Sequence, residues 1–183
     1  WDAALTDGLA RAAVAKDTME YPNRAAYEVI QHLIDSPVQS ARWNVPIVTL
    51  PDREEIAWLE SGRWNMPPLS PRWRQPVAFM TNGGAISYAE SILGIIENYK
   101  LGQIVGAATA GTNGNVNPFM LLGGFRVVWT GMKVLKHDGS QHHGIGILPT
   151  VPVEITAKGI AEGRDEVLAY AVEVVKAKIG GTT

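Results

Sequence analysis

Hydrophobic positions along this chain recur at two spacings, one helical and one of strand length. Between Arg24 and Ile34, the residues Ala26, Val29, Ile30, Leu33 and Ile34 fall on one face at the 3.6-residue period, and Asn23 stands where an N-cap is expected. An Ala-rich stretch from Ala3 to Ala15 reads as an earlier helix. Val45 to Leu50 reads as a short strand with Pro46 near its start and Pro51 beyond its end. Pro76 to Thr81 is an unbroken apolar run of strand length, the signature of a parallel strand buried on both faces. Asn82-Gly83-Gly84 then makes a tight turn into a helix over Ile86 to Tyr99, where Ala89, Ile92, Leu93, Ile95 and Ile96 share a face. Gln103 to Ala107 is a further strand, followed by the Gly111–Asn115 loop. Gly124 to Thr130 and Met132 to His137 read as antiparallel strands, with a turn at Asp138-Gly139. Val151 to Ile155 closes the strands and Arg164 to Lys178 the helices. Residues 52–75, rich in Pro and Trp, read as a long loop excursion without regular core.

Strand–turn–helix–strand order predicts an α/β layered domain with a mainly parallel sheet. Its 183 residues fit one domain, and 46% of them are hydrophobic. The net charge of −2, with both signs interspersed, gives no electrostatic basis for binding nucleic acid. No window reaches the ~20 apolar residues of a membrane span, so no membrane insertion is expected. The chain has no cysteine, which removes disulfides, thiolate metal sites and a cysteine nucleophile together.

The segment with chemistry in it is Thr81-Asn82-Gly83-Gly84-Ala85-Ile86-Ser87-Tyr88-Ala89-Glu90. A buried strand that turns sharply through glycines into a helix presents a hydroxyl above the sheet edge. It also aims the backbone N–H groups of the first helical turn at that point. An acyl-transfer nucleophile and its oxyanion hole need this geometry, with Ser87 as nucleophile and the Tyr88 amide as oxyanion donor. By its local pattern alone, Ser87 followed by Glu90 is equally a capping box.

His137, His142 and His143 cluster around Asp138, and a histidine beside a carboxylate is a fair general base. The competing reading is a solvated hairpin tip. His32, on the polar side of its helix, is not expected to be catalytic. Asn113, Asn115 and Asn117 suit turn geometry before substrate contact. The six tryptophans, concentrated before residue 74, are expected to pack beneath the long loop.

Several segments in order carry a family resemblance. They are Ser87-Tyr88-Ala89-Glu90, Ile104-Val105-Gly106-Ala107-Ala108-Thr109-Ala110-Gly111, Lys136-His137-Asp138-Gly139-Ser140 and Gly144-Ile145-Gly146-Ile147-Leu148-Pro149. Asp17-Thr18-Met19-Glu20-Tyr21-Pro22-Asn23 matches a further segment more loosely. Together these resemble the tail-specific (C-terminal processing) and tricorn-type serine peptidases over about residues 14–170. The resemblance implies a crotonase/ClpP-like α/β core with a small β-hairpin, occupying residues 1–183. It also implies endopeptidase hydrolysis through Ser87 and a bacterial, exported or periplasmic location, and no motif in the chain calls for a nucleotide, cofactor or metal.

The chain departs from that family at two places. The lysine that serves as base in the tail-specific branch falls on Thr112, and no lysine lies between Lys100 and Lys133. The tricorn branch draws a histidine from a segment well before the core, and no histidine here precedes His32. Where the family has Arg-Gly in its oxyanion segment, this chain has Met19-Glu20, whose carboxylate would repel an oxyanion unless turned away. A segment upstream of Trp1, or another domain, is therefore expected to supply the base. The expected partner is a peptide or protein substrate, and self-association stays open. Two alternatives remain at this point: a catalytically impaired peptide-binding or assembly domain, and an esterase using the same serine.

Overall fold

The computed structural model describes residues 22–52 and 56–180. Helix α1, Pro22–Leu33, buries Ile30 and Leu33, as the helical spacing predicts, and Ile34 is buried just beyond its end. The helix begins two residues earlier than expected. Pro22 takes the first helical position, where no N–H is needed, so Asn23 lies in the first turn instead of capping it. The expected helix at Ala3–Ala15 and the segment with Met19-Glu20 lie outside the described residues.

The next strands are β1, Val38–Gln39; β2, Arg42–Val48; β3, Ile56–Gly62; and β4, Asn65–Met66. Here the 52–75 stretch differs from a structureless excursion. β3 pairs antiparallel with β2 from Trp43↔Gly62 to Val48↔Ile56, and β4 pairs with β1. Met66 is fully buried, and Trp64 packs against the main core. Every residue of β3 is exposed, so it has no buried face whose alternation could reveal a strand. Ladder pairing alone makes it one.

The structural centre follows: β5, Ala78–Thr81; α2, Tyr88–Tyr99; and β6, Gln103–Gly106. β5 and β6 pair in parallel from Ala78↔Gln103 to Thr81↔Gly106. Period-two alternation divides their side chains between two cores. Phe79 and Ile104 face α2, meeting Ile92, Ile95 and Ile96, while Met80 and Val105 turn to the opposite side. Each fully buried isoleucine of this set contributes about 1.5–3 kcal/mol relative to exposure.

Beyond the 107–116 loop come β7, Asn117–Met120; β8, Arg126–Trp129; and β9, Lys133–Leu135. The expected hairpin between 124–130 and 132–137 is re-partnered. β8 pairs back onto β7 across Gly123-Gly124, both at positive φ, while β9 joins β2 from Arg42↔Leu135 to Asn44↔Lys133. Two consecutive glycines make the tighter turn, and Pro118 is tolerated because β7 is an edge strand. The Asp138-Gly139 turn does form, between Leu135 and its bridge partner Gln141.

β10, Val151–Pro152, extends the parallel sheet, giving the order β10-β6-β5. The short α3, Ala157–Ala161, is capped by the Thr156 side chain accepting from Gly159 N. The last helix, α4, Glu166–Gly180, sets Val167 and Ala171 against Met80 and Val105. Helices thus cover both faces of a parallel sheet, which is the α/β layering expected from the order of elements.

Candidate active site

The turn between β5 and α2 is built by local hydrogen bonds. The Asn82 side chain accepts from Gly84 N at 2.8 Å, and its carbonyl accepts from Ala85 N at 3.0 Å. The loop after β6 then closes onto this turn. Ala110 N donates to Ala85 O at 3.1 Å, and Ser87 N donates to Thr112 O at 2.8 Å.

Ser87 sits at φ 52, ψ −113, a conformation that only glycine adopts without strain. Its side chain is exposed and makes no capping hydrogen bond to the helix that it precedes. The capping box therefore does not form. Tyr88 opens α2, so the helix N-terminus and the positive end of its dipole lie directly beside Ser87. Trp64 packs against the Tyr88 ring at 5.2 Å between centroids, fastening this end of the helix to the core. Burial pushes the Tyr88 hydroxyl up to about 12, so that side chain stays neutral and serves packing.

Glu90 does not reach back to the cap. It is 1% exposed and binds the loop opposite Ser87. Oε1 accepts from Thr109 Oγ1 and from Gly111 N, both at 2.6 Å, and Oε2 accepts from Thr112 N at 2.9 Å. His142 Nε2 lies 3.1 Å from Oε2, near enough for an ion pair, although the ring N–H is not aligned as a hydrogen bond. Burial alone would raise the Glu90 carboxyl. The adjacent His142 ring, Thr109 and the Gly111 amide outweigh it and hold the group below the ordinary glutamate range. Thr109 Oγ1 also accepts from Ile147 N at 2.8 Å, so one buried node joins α2, the loop after β6 and the 142–147 segment.

Sequence reasoning left Glu90 as a cap residue and grouped His142 with its neighbours. The structure gives the histidines different partners, although the His142 and His143 rings meet edge-on at 6.1 Å between centroids. His137 Nε2 lies 2.8 Å from Gln39 O, His143 Nε2 accepts from Val134 N at 3.1 Å, and His142 is 3% exposed beside Glu90. His32 Nδ1 contacts Pro71 O at 2.8 Å. Each of the four has a structural partner. Asn113 is a turn residue as expected: its Oδ1 accepts from Gly114 N at 2.7 Å, and its Nδ2 donates to Ser91 Oγ at 2.9 Å.

The two flanking lysines have partners of other kinds. Lys100 caps the far end of α2 in a left-handed conformation, and Lys133 lies over the Trp58 ring at 5.1 Å. Among the described residues, no group of three or more His, Asp or Glu side chains is arranged to hold a metal ion. A cleft of about 390 Å³ opens beside the elbow at the carboxyl ends of β5 and β6, lined by Thr81, Asn82, Ala107, Val153, Ile155 and Val167. A larger one, about 490 Å³, lies by Arg72, Tyr99 and Lys100 at the other end of α2. That is roughly 18 Å along the helix from Ser87, too far to serve it.

A parallel α/β sheet that ends in a strained, exposed serine at a helix N-terminus defines a protein with a serine elbow. The chain belongs to peptidase family S41, whose profile it matches over residues 8–153. The resemblance to tail-specific and tricorn-type peptidases is thereby borne out, and with it the fold. No curated protein matches the sequence. Similar solved structures include a putative peptidase from Parabacteroides merdae, with TM-score 0.67 and 18% identity, covering 84% of this chain and 47% of that one. Mature CPAF is also similar, with TM-score 0.64 and 14% identity over 100% of this chain and 49% of that one. The tricorn protease aligns with TM-score 0.58 and 16% identity over 88% of this chain and 14% of that one. The chain thus spans about half the length, or less, of the structures that it resembles.

Proposed function

We propose that this chain is the nucleophile-bearing core of a serine endopeptidase. Ser87 Oγ attacks the scissile carbonyl while its proton passes to a base, and the Tyr88 amide donates to the oxyanion that forms. The amine leaves with that proton, and water then releases the acyl group from Ser87. The observation that carries this reading is the Ser87 conformation. A serine held at φ 52 and ψ −113 in solvent, free of the capping role that its sequence offers, costs stability and returns none. Membership of a peptidase family supports the choice of a peptide bond as substrate.

The base lies outside the set of side chains described around Ser87. Thr112 stands at the lysine position of the tail-specific branch, and each histidine is held by a structural partner. We assign the base to a segment or domain outside the described residues. The same observation favours a second reading, a peptide-binding or assembly domain that retains the elbow without turnover.

Treatment with a fluorophosphonate, followed by peptide mass analysis, separates the two. Labelling at Ser87 that is lost in Ser87→Ala establishes the nucleophile. Labelling that requires an upstream extension of the chain locates the base there. With both forms folded, failure to label either one leaves the binding domain as the better reading. Parallel assays on peptide and ester substrates decide between peptidase and esterase.

A further inference from the structure

The cleft beside the elbow carries a single charge. β5, β6 and β10 run parallel, so their carboxyl ends open on one sheet edge, the edge at which open α/β sheets bind their ligands. The cleft lies there, and its 390 Å³ falls within the roughly 300–1,000 Å³ of small-ligand sites. Two backbone tracks lead from it to Ser87. The 82–87 turn and the 107–112 loop start at the lining residues Asn82 and Ala107 and run side by side. Ala110 N joins them to Ala85 O at 3.1 Å, and Ser87 N to Thr112 O at 2.8 Å. A peptide at Ser87 that follows these tracks brings one of its side chains over the cleft.

The apolar lining is Ala107, Val153, Ile155 and Val167, and Glu154 is the one charged residue among the rest. Glu154 is exposed and has no ion pair or hydrogen bond among the described residues. The cations that follow it in the chain are engaged elsewhere, Lys158 with Glu162 and Arg164 with Glu162 and Glu166. Thr81 also lines the cleft. It is 4% exposed, and its hydroxyl has no hydrogen-bond partner among the described residues. We infer that the cleft takes a lysine or arginine side chain of the bound peptide. The aliphatic stem of either lies along the apolar lining, and the cationic head meets the Glu154 carboxylate. An acidic side chain would set like charges together, and a purely apolar one would cover the carboxylate without pairing it. The inference deepens the peptidase reading and rests on it for a peptide as the ligand.

The test is fluorescence anisotropy on the full chain carrying Ser87→Ala, which binds without acylation. The probes are labelled, blocked pentapeptides with alanines around one lysine, arginine, norleucine or glutamate, norleucine keeping an apolar stem without the ammonium. Lysine and arginine peptides are expected to bind about five-fold more tightly than norleucine, the worth of an ion pair at an open rim, and the advantage should fade as salt rises. Adding Glu154→Gln should erase that advantage and leave norleucine binding unchanged, and Glu154→Lys should turn the preference towards glutamate. Equal binding of lysine and norleucine peptides overturns the inference. So does a cation preference that survives Glu154→Gln, or the absence of binding by every peptide at millimolar concentration. Fluorophosphonate labelling of Ser87 in the unmodified chain, without a cation preference, defeats this inference alone. A cation preference that depends on Glu154, without labelling, keeps the cleft as a binding site and defeats the peptidase reading alone.

Discussion

The amide of Ser87 donates to the carbonyl of Thr112 at 2.8 Å, which ties the elbow to the loop after β6 through the backbone alone. Thr112 is exposed, while its own amide donates to the buried Glu90 carboxylate at 2.9 Å. The backbone on both sides of residue 112 is thus fixed without using its side chain. By the sequence resemblance, that side chain falls at the position of the lysine of the tail-specific branch.

Thr112→Lys is therefore expected to fold and to restore a base beside Ser87. A positioned base contributes about 10²–10⁴-fold, and an unoptimised one should still raise fluorophosphonate labelling of Ser87 by about ten-fold. The gain should grow with pH as the ammonium deprotonates. Rates of labelling from neutral to alkaline pH measure this. An unchanged rate in a folded variant would show that residue 112 does not face the nucleophile.

Strain at Ser87 gives a second expectation. Glycine adopts φ 52, ψ −113 freely, whereas alanine carries the same Cβ as serine. Ser87→Gly should stabilise the protein by about 1 kcal/mol, raising Tm by about 3 °C for a chain of this size. Ser87→Ala should show no such gain, and both should lose labelling. Equal Tm values for the two variants, measured by calorimetry, would mean that the elbow stores no strain.

The parallel centre of the fold was legible because its signals are local. An unbroken apolar run reads as a doubly buried strand, and the Asn82-Gly83-Gly84 turn with the period of Ile92 to Ile96 reads as a strand-to-helix elbow. The hairpins were less legible. β3 has no buried face to alternate against, and β8 chose β7 over the following segment through the Gly123-Gly124 turn. At the site, Ser-x-x-Glu is the same string whether Glu90 caps the helix or turns inward. Its true partners, Thr109, Gly111, Thr112 and His142, are 19 or more residues away and brought together by the fold.

Gly111 shows how little slack that loop has. It sits at φ +69, and a Cβ there would lie 2.8–2.9 Å from the backbone nitrogens of Gly144, Ile145 and Gly146. Those atoms belong to the segment that holds His142 and cannot yield as a side-chain tip would. Gly111→Ala is expected to cost about 2 kcal/mol or more from backbone strain and the forced shift together. Urea unfolding measures the loss. A cost below 0.5 kcal/mol, within the usual range for a surface substitution, would mean that the two loops are not locked together.

Glu90 is the largest single commitment in the site, because three donors and a histidine converge on one buried carboxylate. Glu90→Gln replaces one acceptor oxygen with an NH₂ group that must face a donor, and it removes the carboxylate that lies 3.1 Å from His142 Nε2. Removing one partner from such a buried set costs roughly 3 kcal/mol, or a Tm drop near 10 °C. The pH dependence has a definite sign. The folded carboxyl lies below its ordinary value of 4.5, so its contribution is complete above that value and is lost as pH falls through the lower, folded one. Exposed Asp35 and Asp138 and half-buried Glu166 are lowered by their own partners and add to the acid slope of both proteins. The difference between wild type and Glu90→Gln isolates the buried group. That difference should be flat from neutrality to about pH 4.5 and shrink below it, which urea unfolding at a series of pH values measures. A gap that stays constant into the acid range would show that folding leaves the Glu90 carboxyl at its ordinary value, and one that widens as pH falls towards 4.5 would show that it is protonated in the folded protein.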